Sequence, residues 1–188
     1  QSMNGSFWKF ATTGTIHFGR GSVSVLASEF QRLQVTRPIV ITDTTLVDLP
    51  IVAQCIRELE RVSSVTVFDG GQPEPSVDLA NLAIEQALEC GADSVVGIGG
   101  GSKMDVAKIV ATALAHGGNS NDYFGFNRIP GPIATMVAIP TTAGTGSEVS
   151  HSAVLTDFQS QVKVSTLSPF LRPTIAIVDP SLTDTCSP

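Results

Sequence analysis

The sequence predicts an α/β fold in which a parallel sheet is flanked by crossover helices. Short apolar runs alternate with helix-length segments over most of the 188 residues, which is the pattern of consecutive strand–helix–strand units. These runs are rich in valine and isoleucine, as strands buried on both faces require. Apolar residues make up 42% of the chain and charged residues 15%, so the chain can form a hydrophobic core and is not predicted to be disordered.

The predicted strands follow one another in a regular order. A β-rich opening over residues 7–18 leads into a turn at residues 19–21. Four central strands are expected at residues 38–42, 64–68, 94–98 and 135–139. Beyond residue 150 the extended pieces become shorter, at residues 152–156, 162–166 and 174–178, and are typical of hairpin or edge strands rather than of another crossover unit. One domain with a β-hairpin excursion accounts for the pattern.

Two helices are well marked by their ends. The first is predicted over residues 77–89, with the hydroxyl of Ser76 as its N-cap and Gly91 for the C-terminal turn. The second is predicted over residues 103–115, where apolar side chains recur at helical spacing, and Gly117 with its following glycine ends it. Both helices present an apolar face that can cover a sheet.

Charge and cysteine content exclude several classes of protein. The chain has 11 Lys and Arg against 17 Asp and Glu, a net charge of −6, without a basic cluster, so nucleic acid and anionic membrane partners are not expected. No apolar run approaches the length of about 20 residues that a membrane span needs. Cys55, Cys90 and Cys186 are odd in number and lack a Cys-x-x-Cys pair, which favours a reducing, cytoplasmic setting.

The two ends of the sequence carry little of the fold pattern. Residues 1–3 look like the scar of a cleaved tag followed by the native start at Met3, so the domain is taken as residues 4–188. The Ser/Thr/Pro-rich end, from residue 183 onward, is interpreted as an interrupted chain, because such a segment ordinarily introduces another helix.

The strongest chemical signal is the run Gly-Ile-Gly-Gly-Gly-Ser-Lys-Met-Asp-Val-Ala-Lys over residues 97–108, placed between a predicted strand and a predicted helix. Glycines let backbone N–H groups approach a phosphate, the helix directs its positive end to the same anion, and Ser102 can donate a hydrogen bond. Neither a Walker A sequence nor the dinucleotide fingerprint of a first strand–helix unit is present. A tight turn that binds nothing remains an alternative for this run alone.

A second loop, residues 140–149, follows the next central strand. Its hydroxyl groups and glycines can satisfy ribose, phosphate or carboxamide groups without adding charge. A loop of this composition is by itself more often a solvated connection. Ligands of α/β sheets bind at the carboxyl ends of strands, so two such loops together favour a nucleotide crevice. The hydroxyl-bearing residues in and next to this loop are Thr141, Thr142, Thr145, Ser147 and Ser150.

These motifs together resemble the N-terminal, NAD-binding domain of the iron-containing (group III) alcohol dehydrogenase family. The resemblance extends over essentially the whole chain and is carried by Asp43 after an Ile-Thr pair, the Pro73-Glu74-Pro75 segment, both loops above and the Ile-Val-Asp-Pro segment at residues 177–180. It implies a Rossmann-like sheet and NAD as the cofactor, with NADP less favoured. In the complete enzyme it implies oxidation of an alcohol, or reduction of an aldehyde, by hydride transfer, and a homodimer.

The resemblance also implies roles for individual residues. The glycine loop is expected to hold the pyrophosphate, the threonines of the second loop to line the nicotinamide half, and Lys163 to approach the nicotinamide ribose. No catalytic residue is expected within the chain. The full predicted cofactor-binding set is Asp43, Gly99, Gly100, Gly101, Ser102, Asp105, Thr141, Thr142, Thr145, Ser147, Lys163 and Leu182.

Metal chemistry is expected to lie outside this chain. The family holds its divalent metal, Fe(II) or Zn(II), with an Asp and three His of a C-terminal helical domain, so the chain alone is expected to bind no metal and to be inactive. His17, His116 and His151 are too scattered to replace those ligands, while Glu148 and Asp179 are interpreted as loop-fixing and turn-initiating carboxylates. The alternatives are a stand-alone nucleotide-binding module and a glycerol-dehydrogenase-like or dehydroquinate-synthase-like enzyme.

Asp43 carries the prediction of cofactor choice. A carboxylate at the end of a central strand can accept hydrogen bonds from both adenosine ribose hydroxyls and would repel the 2′-phosphate of NADP. Alternatively, Asp43 only caps the segment that follows it. The residues alone favour neither interpretation, and the resemblance favours NAD.

Overall fold

The computed structural model describes residues 11–184. The expectations for the tag scar, for the opening before residue 11, for Cys186 and for the last four residues lie outside this range. The strands, in chain order, are β1 Thr15–Phe18, β2 Pro38–Ile41, β3 Thr66–Phe68, β4 Ser94–Gly99, β5 Gly125–Phe126, β6 Thr135–Pro140, β7 Ser152–Asp157, β8 Val162–Leu167 and β9 Ile175–Val178. The α-helices are α1 Leu26–Leu33, α2 Thr44–Val47, α3 Pro50–Glu60, α4 Val77–Glu89 and α5 Gly101–His116.

A six-stranded parallel sheet in the order β1-β9-β6-β4-β2-β3 forms the centre of the molecule. A second sheet, in the order β5-β8-β7, contains the antiparallel pair β7–β8 and a short parallel pairing of β5 with β8. The predicted α/β class and the β-hairpin excursion are therefore confirmed. Because β2, β4 and β6 are neighbours and parallel, their carboxyl ends lie together at one edge of the sheet.

Helices cover both faces of the central sheet. Ile39, Val95 and Met136 pack with helices α4 and α5 on one face, whereas Val40 and Val96 belong to the opposite cluster with α1 and α3. This division follows from the alternation of side chains along each strand. The result is the Rossmann-like arrangement that the resemblance implied.

The end signals of the two predicted helices are confirmed. Helix α4 has the predicted bounds, the Ser76 hydroxyl accepts a hydrogen bond from the Leu79 amide at 3.0 Å, and Gly91 has a φ of 63°. Helix α5 begins two residues earlier than predicted and ends one residue later, before Gly117 with a φ of 77°. Glycine adopts such positive φ values without strain, which explains why both helices end there.

The prediction for residues 174–178 is wrong. Strand β9 is not part of a hairpin or at an edge, but lies between β1 and β6 and is parallel to both. Its Ile175, Ala176 and Ile177 are fully buried. The opening was also predicted too long, since only Thr15–Phe18 of residues 11–18 is strand, and Thr13 and Gly14 bond instead to the Pro173 carbonyl.

Helix α5 is the most enclosed helix of the domain. It contacts β4 and β6 of the sheet, the neighbouring helix α4 and strand β7 of the hairpin. Even Lys103 and Lys108 are buried within it. Polar side chains on such a helix need partners inside the protein, and these partners shape the site described next. Among residues 11–184, no helix combines the length and hydropathy of a membrane span.

Candidate functional site

The glycine loop lies where the sequence predicts it, between the end of β4 and the start of α5. Gly100 is the N-cap of the helix, and no side chain caps this end. The preceding Gly99 has a φ of 148°, a conformation that favours glycine, and its carbonyl accepts a hydrogen bond from the Thr141 amide at 3.0 Å. The positive end of a helix of 16 residues is therefore presented at the carboxyl edge of the sheet.

The glycine loop and the threonine-rich loop pack directly against each other. A Cβ on Gly100 would lie 3.3 Å from the Thr142 hydroxyl oxygen, and a Cβ on Gly101 would lie 3.3 Å from Cβ of Thr145. Both distances are tighter than ordinary van der Waals contact. The two loops predicted separately from the sequence thus form one continuous surface, and glycine is what lets them meet.

Two clefts open on either side of this surface. The strand-end cleft, of about 390 Å³, is lined by Asp43, Thr45, Leu46, Leu49, Pro73, Gly100, Ser102, Lys103, Thr141, Thr142 and Leu182. The hairpin cleft, of about 350 Å³, is lined by Pro75, Gly101, Ser102, Asp105, Thr145, Ser147, Ser150, Ser152, Val154, Thr156 and Lys163. Ser102 lines both clefts, so they meet at the first turn of α5.

The structure brings together nearly all of the predicted cofactor-binding residues. Asp43, Gly100, Thr141, Thr142 and Leu182 line the strand-end cleft, and Gly101, Asp105, Thr145, Ser147 and Lys163 line the hairpin cleft. Ser102 belongs to both. Gly99 lines neither, and its part is to shape the turn between β4 and α5.

Asp43 is held by several donors at once. Its Oδ1 accepts hydrogen bonds from the Thr45 amide at 3.0 Å and the Leu46 amide at 2.8 Å, so it is the N-cap of α2. Its Oδ2 lies 2.8 Å from the ammonium of Lys103. Burial by itself would raise the pKa of this carboxyl, but the hydrogen bonds outweigh burial and lower its pKa below the ordinary value. Asp43 therefore caps α2, and its carboxylate is charged at neutral pH.

Lys108 ties α5 to the loop and hairpin that follow β6. Its ammonium donates to the hydroxyls of Ser147 at 3.1 Å and Ser150 at 2.9 Å, and to the Ser152 carbonyl at 2.7 Å. The side chain is fully buried, and its nearest carboxylate oxygen, on Asp105, is 3.8 Å away. Burial lowers the pKa of Lys108 to about 8, against the smaller opposing effects of Asp105 and Glu148.

Asp105 also connects α5 to the loop after β6 and to β7. Its Oδ1 accepts a hydrogen bond from the Ser147 hydroxyl at 2.7 Å, and its Oδ2 accepts one from the Val154 amide at 3.0 Å. Both oxygens thus serve the junction between α5 and β7. Asp105 lines the hairpin cleft. Its hydrogen bonds to Ser147 and Val154 hold the residues that form one side of that cleft.

Lys163 stands at the open side of the hairpin cleft. Its side chain is 69% exposed, and its ammonium lies 3.7 Å from a carboxylate oxygen of Glu74. The Thr156 hydroxyl donates to the same oxygen at 2.8 Å, and the Thr156 amide donates to the Pro75 carbonyl at 2.7 Å. Residues 73–75 therefore hold strand β7 of the hairpin in place beside the cleft through these two hydrogen bonds.

Asp179 and His17 have structural contacts away from the two clefts. Asp179 accepts hydrogen bonds from the Ser181 and Val23 amides, in keeping with the predicted turn-initiating role. His17 lies 3.1 Å from a Glu29 oxygen. Within residues 11–184, no group of three or more His, Cys, Asp and Glu side chains is placed to hold a metal ion.

Lys103 and Lys108 are the important residues that sequence reasoning missed. The glycine-loop motif contains both, but the motif itself does not predict their burial. A usable signal was present, because the segment over residues 103–115 is apolar on nearly every side. A lysine inside such a helix has to be buried and therefore needs acceptors.

Comparison with known proteins identifies the family. Residues 13–180 match the family described as iron-containing alcohol dehydrogenase, and the chain belongs to it. It is 34% identical to the NAD-dependent methanol dehydrogenase of Bacillus methanolicus over 87% of the chain and 43% of the relative. It is 36% identical to the 4-hydroxybutyrate dehydrogenase of Cupriavidus necator over 89% of the chain and 44% of the relative.

The fold agrees with solved structures. The sulfoacetaldehyde reductase of Bifidobacterium kashiwanohense, solved in complex with NAD⁺, superimposes with a TM-score of 0.86 at 32% identity, over 97% of this chain and 48% of that one. A 1,3-propanediol oxidoreductase superimposes with a TM-score of 0.90 at 29% identity, over 94% and 47%. The chain spans less than half the length of these relatives.

Proposed function

We propose that this member of the iron-containing alcohol dehydrogenase family is the dinucleotide-binding half of an NAD-dependent enzyme that oxidises an alcohol or reduces an aldehyde by hydride transfer. The observation that carries the proposal is the meeting of two clefts at the uncapped N-terminus of α5. A dinucleotide matches this arrangement, because its two nucleosides can occupy the two clefts while the pyrophosphate that joins them lies at the helix N-terminus. The NAD-dependent relative and the NAD⁺ complex named above support this choice of ligand.

The residues present fit such a ligand. We place the pyrophosphate at the first turn of α5, where the amides of Gly101 and Ser102 and the helix dipole favour an anion. The adenosine is assigned to the strand-end cleft, with Asp43 beside its ribose, and the nicotinamide half to the hairpin cleft. The nicotinamide ring supplies the hydride acceptor when bound.

The chain's own contribution is to bind and orient the cofactor. Hydroxyls of Thr142 and Thr145 flank the glycine loop and can donate to the ligand without adding charge. Lys163 provides a cation at the open side of the hairpin cleft. Such fixed placement contributes to rate by holding the reacting ring in one geometry.

The described residues do not fit the family's divalent metal. Residues 11–184 contain no cluster of ligand side chains for it, so we assign no step of this chain to a metal. We expect the 188-residue chain alone to bind dinucleotide without turning over alcohol. The homodimer implied by the resemblance stays a prediction, which light scattering of the complete protein checks.

Calorimetric titration of the complete protein with NAD tests the proposal. We expect the Gly100→Val variant to bind NAD at least tenfold more weakly, because the added side chain crowds Thr142 and the ligand at the loop. Gly131→Val is the matched control. It lies near His116, at the far end of α5, and should leave the affinity unchanged.

Two results would contradict the proposal. One is a wild-type protein that binds no dinucleotide, and the other is a folded Gly100→Val variant that binds NAD as tightly as wild type. Steady accumulation of NADH with a simple alcohol would separate a dehydrogenase from a synthase that uses NAD only transiently.

A further inference from the structure

Lys103 occupies an unusual place beside the strand-end cleft. Its side chain is 6% exposed, its ammonium lies 2.8 Å from Oδ2 of Asp43, and it donates to the Gln72 carbonyl at 2.8 Å. The pair thus connects the start of α5 with the segments that follow β2 and β3. A lysine that is this buried and lines a ligand cleft is not a solvated surface charge.

The surrounding backbone is shaped around this lysine. A Cβ on Gly99 would lie 2.6 Å from Cγ of Lys103, a distance at which the side chain has to shift. A Cβ on Gly71 would lie 3.0 Å from Cε of Lys103 and 2.2 Å from the Thr42 carbonyl oxygen. The lysine therefore runs between two glycines on its way to Asp43.

Asp43 consequently does not face the cleft as an isolated negative charge. Two amide donors occupy Oδ1, and Lys103 occupies one position on Oδ2. A carboxylate oxygen has about two acceptor positions, so Oδ2 retains one for a ligand hydroxyl. Carboxylate and ammonium together carry no net charge.

We propose that Lys103 is a specificity-determining residue, which pairs with Asp43 to form a neutral contact for the adenosine ribose and so weakens rejection of a ribose 2′-phosphate. The proposal rests on the dinucleotide function and on the placement of adenosine in the strand-end cleft. A lone carboxylate beside that phosphate would repel it, because both groups are negatively charged. The nearby ammonium offsets most of this repulsion, while the free position on Oδ2 still accepts a hydroxyl of NAD.

The test is the ratio of dissociation constants for NADP and NAD, measured by calorimetry on the complete protein. Lys103→Met retains most of the side-chain length and exposes the carboxylate charge, so the ratio should rise about tenfold. Asp43→Asn leaves the ammonium unpaired, so the ratio should fall about tenfold. Lys103→Arg keeps the charge and should stay within about threefold of wild type.

The double variant Lys103→Met with Asp43→Asn gives the sharpest result. It removes both charges, so its NADP/NAD ratio should return to within about threefold of wild type. If Lys103 had only a structural role, the second substitution would not restore the ratio. If Lys103→Met does not fold, Lys103→Gln is the second variant: it removes the charge but keeps a donor for the Gln72 carbonyl, and its ratio should rise in the same way.

Failure of the inference differs from failure of the proposed function. A wild type that binds NAD, with a ratio that Lys103→Met leaves unchanged, would overturn the role of Lys103 and leave the function standing. A wild type that binds neither dinucleotide would overturn both.

Discussion

Helix α5 carries two buried lysines five positions apart, and they hold different parts of the molecule. Lys103 lies in the first turn, pairs with a carboxylate at 2.8 Å and lines the strand-end cleft. Lys108 lies deeper in the helix, has no exposed surface and donates to three oxygen atoms of the segment after β6.

The difference shows how one helix can organise both clefts. A lysine at the open end of α5 can alter what a ligand meets, whereas a lysine in the interior can only alter how the hairpin is held. Substitution of Lys108 should therefore change mainly stability, and substitution of Lys103 should change mainly ligand preference.

The largest effect is expected for Lys108→Ala. The substitution leaves a cavity and deprives Ser147, Ser150 and the Ser152 carbonyl of their donor. The free energy of unfolding should fall by about 3 kcal/mol, measured by urea denaturation at pH 7. Lys163→Ala removes an exposed lysine and is the control, with no measurable change expected. Equal stability of the two variants would contradict the buried network.

The second prediction concerns pH. Burial lowers the pKa of Lys108 from 10.5 to about 8, so between these values the unfolded chain binds more protons than the folded one. The stability of wild type should therefore rise with pH in this window. Relative to Lys108→Met, which cannot titrate there, the gain from pH 8 to about pH 9.5 should be about 1.5 kcal/mol. A constant difference would show that the lysine titrates normally.

The smallest effect on stability is expected for Lys103→Met. The Gln72 carbonyl loses its donor, but Asp43 keeps two amide donors, so the loss should be about 1.5 kcal/mol in the same urea experiment. If the free energy of unfolding fell as far as it does in Lys108→Ala, the two lysines would not differ in role, and Lys103 would be a structural residue.

The sequence predicted the elements whose signals are local. Ser76 and Gly91 mark both ends of α4, and the glycine run had to lie between a strand and a helix. Pro50 at the start of α3 is a comparable local signal, since proline is favoured in the first turn of a helix. The two loops were also predicted to lie together, because parallel strands end at a common edge, and in the structure they pack against each other.

What escaped prediction depends on partners distant in the chain. The apolar run of β9 does not reveal that it inserts between β1 and β6, since periodicity reports burial and not neighbours. The pairing of Lys103 with Asp43 spans 60 positions of sequence. Contacts of this kind appear only once the sheet order and the path of the loops are known.

A crystal structure of the complete protein with NAD is the most direct test of the central claim, that one dinucleotide occupies both clefts across the start of α5. A pyrophosphate oxygen should lie within about 3.2 Å of the amide nitrogen of Gly101 or Ser102. The adenosine should lie beside Asp43 and the nicotinamide ring in the hairpin cleft. A dinucleotide bound away from the glycine loop, or with its two halves exchanged between the clefts, would contradict the account.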